Sequence, residues 1–229
     1  MTYNFLFIAI ITLIPTVLIY ILRPKLRGVI HVMSPASIPF AFTEWLFYPE
    51  YWEPVFLFNL VDYIGFGIED ILFVMGLGGF ASTLYAAVFK QIYLPKDWQS
   101  RQDLLKRIMA TFIVTLVLIT AAVLAEIPMI YGSVGIMLVM AIAIVTRRTD
   151  LLKPALWGGL LTTLVYTGLC FVILVIYPEI FDLTWHTEHF LNLYMFGIPL
   201  EEIFYAFSAG MLATIAYPYL FKMSFLSKA

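Results

Sequence analysis

Gly65-Phe66-Gly67-Ile68-Glu69-Asp70-Ile71-Leu72-Phe73 and, 132 residues later, Gly197-Ile198-Pro199-Leu200-Glu201-Glu202-Ile203-Phe204-Tyr205 each open an apolar segment with two adjacent acids. A carboxylate is costly in hydrocarbon or in a core, so a chain that places a pair there twice, in register, points to a use for them. The likeness extends upstream: Tyr48-Pro49-Glu50 and Tyr177-Pro178-Glu179 each close the preceding apolar stretch. The three segments ending in the first motif therefore match the three ending in the second, which makes the chain two repeats.

The composition places these repeats in a membrane. Of 229 residues, 62% are hydrophobic and 12% charged, and the mean hydropathy is +0.95. Such a chain is not a soluble domain. Apolar stretches fall at about 4–22, 28–48, 66–89, 108–125, 128–146, 154–177 and 198–221. Each is close to the ~20 residues needed to cross a ~30 Å hydrocarbon layer. The expected fold is all-α and polytopic, with seven transmembrane helices. Two acid-bearing helices running in the same direction make the repeats parallel, and parallel three-helix repeats need an odd linker helix between them (3+1+3). The divisions are residues 1–89, 90–127 and 128–229.

The basic residues fix the orientation. Arg23, Lys25 and Arg27 follow the first stretch, and Lys90, Lys96, Arg101, Lys106 and Arg107 the third. Arg147, Arg148 and Lys153 follow the fifth, and Lys222 and Lys228 the last. Positive charge marks cytoplasmic loops, so the N-terminus is expected outside and the C-terminus inside. The opposite loops hold Glu50, Glu53, Asp62, Glu126, Glu179, Asp182 and Glu188 and no Lys or Arg. The first stretch lacks a basic n-region and a small-residue cleavage site, and reads as a retained helix.

Several functions are excluded or disfavoured. Cys170 is the only cysteine, so there is no disulfide framework or thiolate metal cluster. His186 and His189 form one His-x-x-His pair, which reads as a solvated loop pair rather than a metal site. A retinal Schiff base needs a lysine within a span, and none is there. No Gly-x-Gly-x-x-Gly nucleotide loop for a flavin is present, and no nucleic-acid partner is expected. Gly76, Gly78, Gly79, Ala81 and Ser82, with Ala206, Ser208, Ala209, Gly210 and Ala213, read as close helix packing. Trp45, Trp52, Trp185, Tyr48, Tyr51 and Tyr177 read as an aromatic belt at the outer boundary.

The acid pairs have two readings. As first-turn residues they complement the positive end of a helix dipole, and Pro199 suits such a start. As chemistry, they pair across the repeats, because adjacent helical positions project about 100° apart and cannot both face one point. Acids brought together in a dry cleft share a proton, leaving a donor beside a base. That couple suits acid-initiated isomerisation of an apolar molecule.

These residues resemble the membrane, non-flavin lycopene cyclase domain family, in the fused two-repeat form of the heterodimeric carotenoid cyclases. Pro39-Phe40 with Glu44, then Tyr48-Pro49-Glu50-Tyr51-Trp52, resembles the family's first-half lead-in. Gly67-Ile68-Glu69-Asp70 and Ile198-Pro199-Leu200-Glu201-Glu202 resemble its repeated Pro-x-Glu-Glu/Asp signature, and Ile203-Phe204-Tyr205-Ala206-Phe207 the second-half continuation. The resemblance implies a linear carotenoid substrate such as lycopene, delivered through membrane lipid. It also implies redox-neutral cyclisation of the end group without metal or cofactor. An acid protonates the terminal double bond, the neighbouring double bond attacks the tertiary cation, and a base removes a proton. Glu69, Asp70, Glu201 and Glu202 are the expected acid/base group, with Glu44 as a further candidate. Phe73, Phe204 and Tyr205 are the expected contacts to a cationic intermediate. The expected location is the cell membrane, as a multi-pass protein, and self-association is left open. Two alternatives stand: a carotenoid hydratase that traps the same cation with water, and a proton-coupled small-molecule transporter.

Overall fold

A computed structural model of the chain describes residues 4–98 and 100–227. Lys228, counted above among the basic residues, lies outside them. In chain order the helices are α1 (Asn4–Leu22), α2 (Arg27–Ala36), a 3-10 helix (Ile38–Leu46), the short α3 (Leu60–Ile64), α4 (Ile68–Val88), α5 (Arg101–Leu124), α6 (Met129–Arg147), α7 (Leu152–Ile176), α8 (Ile180–Thr184) and α9 (Leu200–Leu220). Strand β1 (Gln91–Pro95) follows α4, β2 (Tyr194–Met195) and β3 (Ile198–Pro199) precede α9, and β4 (Met223–Ser227) follows it. Among the described residues, six helices are long and apolar enough to cross a membrane: α1, α4, α5, α6, α7 and α9.

The stretch expected as a second span is not one long helix. It is α2, ten residues, followed by the nine-residue 3-10 helix. Pro35 and Pro39 break it: proline lacks the N–H that an α-helix uses and crowds the preceding turn. Side chains take over some of the bonding. Ser37 Oγ donates to the carbonyls of Ser34 (2.6 Å) and Val74 (2.7 Å), and Ser34 Oγ to that of Met75 (2.8 Å). Both seryl bonds to residues 74 and 75 clamp the broken segment onto α4.

Helices α4 and α9 are central. In α4 56% of the apolar window is buried and in α9 50%, against 6% in α5. Helix α4 packs on α1, α2, α7 and α9; α9 packs on α4, α6 and α7; α5 rests mainly on α6. Small residues permit the close approaches. A Cβ at Gly78 would stand 2.7 Å from Ser37 Cβ, and one at Gly210 would stand 2.8 Å from the Gly158 carbonyl oxygen of α7. Since that backbone cannot yield as a side-chain tip can, Gly210→Ala is expected to push α9 off α7 at a cost of about 1–3 kcal/mol. A lowered thermal midpoint in detergent checks this, and an unchanged midpoint would show that the pair relaxes freely.

The two ends differ chemically. At one end, β1 and β4 pair antiparallel, from Ile92 opposite Leu226 to Pro95 opposite Met223. Here Arg23 donates to the carbonyls of Ala86 and Ala87, Arg107 to that of Tyr219 (2.9 Å) and Arg148 to that of Met223 (3.0 Å). Arg23 and Arg107 thereby satisfy carbonyls that helix ends leave without partners, and Arg148 satisfies one at the start of β4. Arg148 also holds Asp150 through two bonds of 2.8 and 2.6 Å. At the other end an antiparallel bridge joins Trp52 to Trp185, flanked by Glu53 N–H to the Thr184 carbonyl (2.8 Å) and His186 N–H to the Tyr51 carbonyl (2.9 Å). His186 lies between Glu53 (3.7 Å) and Glu188 (3.8 Å), and His189 is 3.7 Å from Glu188.

Candidate active site

A cavity of about 80 Å³ lies beneath the Trp52–Trp185 bridge, walled by α1, the 3-10 helix, α4, α7 and α9. Three acids line it: Glu44, Asp70 and Glu202. All three are buried, at 7, 4 and 6% exposure, among apolar and aromatic walls that include Phe73, Tyr205 and Cys170.

Asp70 and Glu202 occupy the same position of their helices, the third residue of each, yet do different work. In α4 the residue before the helix is Gly67, whose N–H donates to Asp70 Oδ2 at 2.6 Å. This is one half of a capping box; glycine has no side chain to return the bond. In α9 the corresponding residue is Pro199, which has no N–H to offer. Glu202 is thereby released from capping, and its carboxylate takes three other donors. Tyr51 O–H reaches Oε1 at 2.9 Å, the Trp185 indole N–H reaches Oε1 at 2.9 Å, and Tyr166 O–H reaches Oε2 at 2.6 Å.

Glu44 comes to the cavity through the geometry of its 3-10 helix. With three residues per turn, side chains three apart eclipse. Ala41, Glu44 and Phe47 therefore share one face, and all three line the cavity. The Glu44 carboxyl shares the cavity wall with Asp70 and Trp52, and its Oε1 is buried with no hydrogen-bond partner. Ile173, which stands four residues before Tyr177 as Glu44 stands four before Tyr48, also lines the cavity. The 3-10 helix thus carries an acid at the spacing from its Tyr-Pro-Glu where α7 carries an isoleucine.

The other two acids of the motifs are turned away. Glu69 Oε1 accepts from the Leu57 N–H at 2.6 Å, and Glu201 Oε1 from the Leu191 N–H at 3.0 Å and the Tyr131 O–H at 3.3 Å. Both side chains fasten the loop that precedes their helix, and neither lines the cavity. The structure therefore brings together one acid of each pair, not all four. Phe73 and Tyr205 line the cavity, whereas Phe204 is 46% exposed and points away from it.

The sequence reading did not single out Tyr51, Trp185 and Tyr166 for a role in the site. The first two fell in the expected aromatic belt, and Tyr166 lies mid-helix among apolar neighbours. The signal was available: a Tyr deep in an apolar helix needs a hydrogen-bond partner, and an unpaired acid supplies one.

A family model described as lycopene cyclase matches residues 128–220. The match supports a lycopene cyclase family. The matched stretch carries α6, α7 and α9, and with them Tyr166, Trp185 and Glu202. Glu44, Tyr51 and Asp70 precede it and join the site through the fold. No curated protein and no solved structure matches the chain. A lycopene cyclase family fits an enzyme, a carotenoid substrate and a membrane setting, and the six apolar helices fit that setting as well.

Proposed function

We propose that the chain is an integral membrane lycopene cyclase that closes the end group of a linear carotenoid by acid catalysis, with no redox change and no cofactor. The observation that carries this reading is the cavity that gathers the buried acids Glu44, Asp70 and Glu202 among aromatic rings. A buried acid can protonate an alkene, a second acid can offset the resulting positive charge, and ring faces stabilise a cation that water would otherwise trap.

The topology belongs to the same proposal. Ten α-helical residues rising 1.5 Å each and nine 3-10 residues rising 2.0 Å each span roughly 33 Å, enough to cross a ~30 Å layer despite the break. With that segment counted, the chain has seven spans, as a fused pair of three-helix repeats (1–89 and 128–229) around a linker (90–127). Gly78 and Gly210, each eight residues after the inward-facing acid of its helix, support the repeat. The gathering of arginines at the β1–β4 end supports an outside N-terminus in the cell membrane.

Phe40 is 51% exposed and yet lines the cavity, so the 3-10 helix reaches both the cavity and the outer surface.

Expression in bacteria that accumulate lycopene tests the reading. Conversion to cyclic carotenoids of unchanged mass is expected. A product heavier by one water would make the chain a hydratase, and untouched lycopene in cells whose membranes contain the folded protein would overturn the carotenoid assignment and favour a transporter.

A further inference from the structure

We infer that the three cavity acids hold fixed and different charge states: Glu44 and Asp70 share one proton and form the donor, while Glu202 is a permanent counter-anion held by Tyr51, Tyr166 and Trp185 as positioning residues. The inference rests on the cyclase reading of the same cavity and assigns roles within it.

Two separate observations carry it. Glu202 is met by three donors, and the indole N–H of Trp185 can only donate. Three donors aimed at one carboxyl, one of them an indole N–H that cannot turn to accept, favour its charged form, so this cradle suits a carboxylate. Across the cavity the pattern reverses. Glu44 and Asp70 are both buried and line the same small cavity, and two carboxylates held together in such a place repel unless one carries a proton. Glu44 lines the cavity and its Oε1 is buried with no partner, which leaves that oxygen free to meet an alkene or a hydrogen-bearing oxygen.

The chemistry then closes on itself. The dyad O–H bond breaks and its proton forms a C–H bond at the terminal alkene. The π pair of the neighbouring alkene forms the ring C–C bond, moving the positive charge into the ring. A ring C–H bond breaks, its electrons become the ring double bond, and the proton returns to the dyad, which by then has given up its own. Glu202 gains and loses nothing; it offsets the cation throughout. The product has the composition of the substrate.

Infrared difference spectra of the purified protein in lipid, with no carotenoid added, test the charge assignment apart from activity. Glu44→Gln or Asp70→Asn is expected to remove a protonated-carboxyl band, and Glu202→Gln to remove a carboxylate band. Tyr166→Phe is expected to shift that carboxylate band and to lower the turnover of lycopene about 10- to 100-fold with KM unchanged, as loss of one donor to a charged group implies. Removal of a protonated band by Glu202→Gln, or its persistence in both dyad variants, overturns the inference. If the bands behave as expected but the wild-type protein leaves lycopene unchanged, the charge assignment stands and the cyclase reading fails.

Discussion

Glu202→Gln is expected to lower conversion of lycopene by about 10²–10³-fold while leaving the protein folded, the loss typical when a group aimed at developing charge is removed. The amide keeps the shape of the side chain. Its oxygen still accepts from two of the three donors, and the Tyr166 hydroxyl, at 2.6 Å from Oε2, can turn to accept from the new NH2 group. What disappears is the negative charge opposite the cation. Pigment analysis beside a thermal melt separates the two effects. Conversion near the wild-type rate with an unchanged melt would mean that the cation needs no anion at that position, and the three-donor cradle would then be structural.

The second large effect is a contrast between neighbours. Asp70→Asn is expected to cost about 10²–10⁴-fold in turnover, because it removes half of the proton-sharing dyad. Glu69→Gln is expected to retain most of the activity, although Glu69 is less exposed, at 0% against 4%. Glu69 Oε1 only accepts the Leu57 N–H, and a glutamine oxygen accepts it as well. The same contrast separates Glu202 from Glu201, whose oxygen holds the Leu191 N–H. Equal loss in Glu69→Gln and Asp70→Asn, at equal expression, would move the chemistry to the loop-facing acids and sink the cavity reading.

Much of this arrangement was legible in the sequence, and the parts that were not have physical reasons. The apolar stretches and the duplicated acids located the two central helices, because hydrophobic length and a costly buried charge are both written in residue type. The 100° between adjacent helical positions already implied that only one acid of each pair could face a common point. Which one was not legible, since it depends on the loops: the Leu57 and Leu191 amides claim Glu69 and Glu201. The break at Ser37 was foreshadowed by Pro35 and Pro39, but a run of apolar residues long enough to cross hid it. The 3-10 period that aligns Ala41, Glu44 and Phe47 could not be read from a pattern searched for 3.6. The different fates of Asp70 and Glu202 were written in a single letter, Gly67 against Pro199, whose meaning appears only once each is seen to precede its helix.

Helix α5 adds little to the interior, since only 6% of its apolar window is buried. The cavity is built from the elements before it and after it, which meet directly through α4, α7 and α9 and through the bridged tryptophans. Apart from the Arg107 bond to the Tyr219 carbonyl, helix α5 therefore acts as a tether. It keeps the elements before it at a high effective concentration around those after it while adding little to the surface they share, so its contribution to assembly is mainly entropic and depends on reach more than on the identity of its outward-facing side chains.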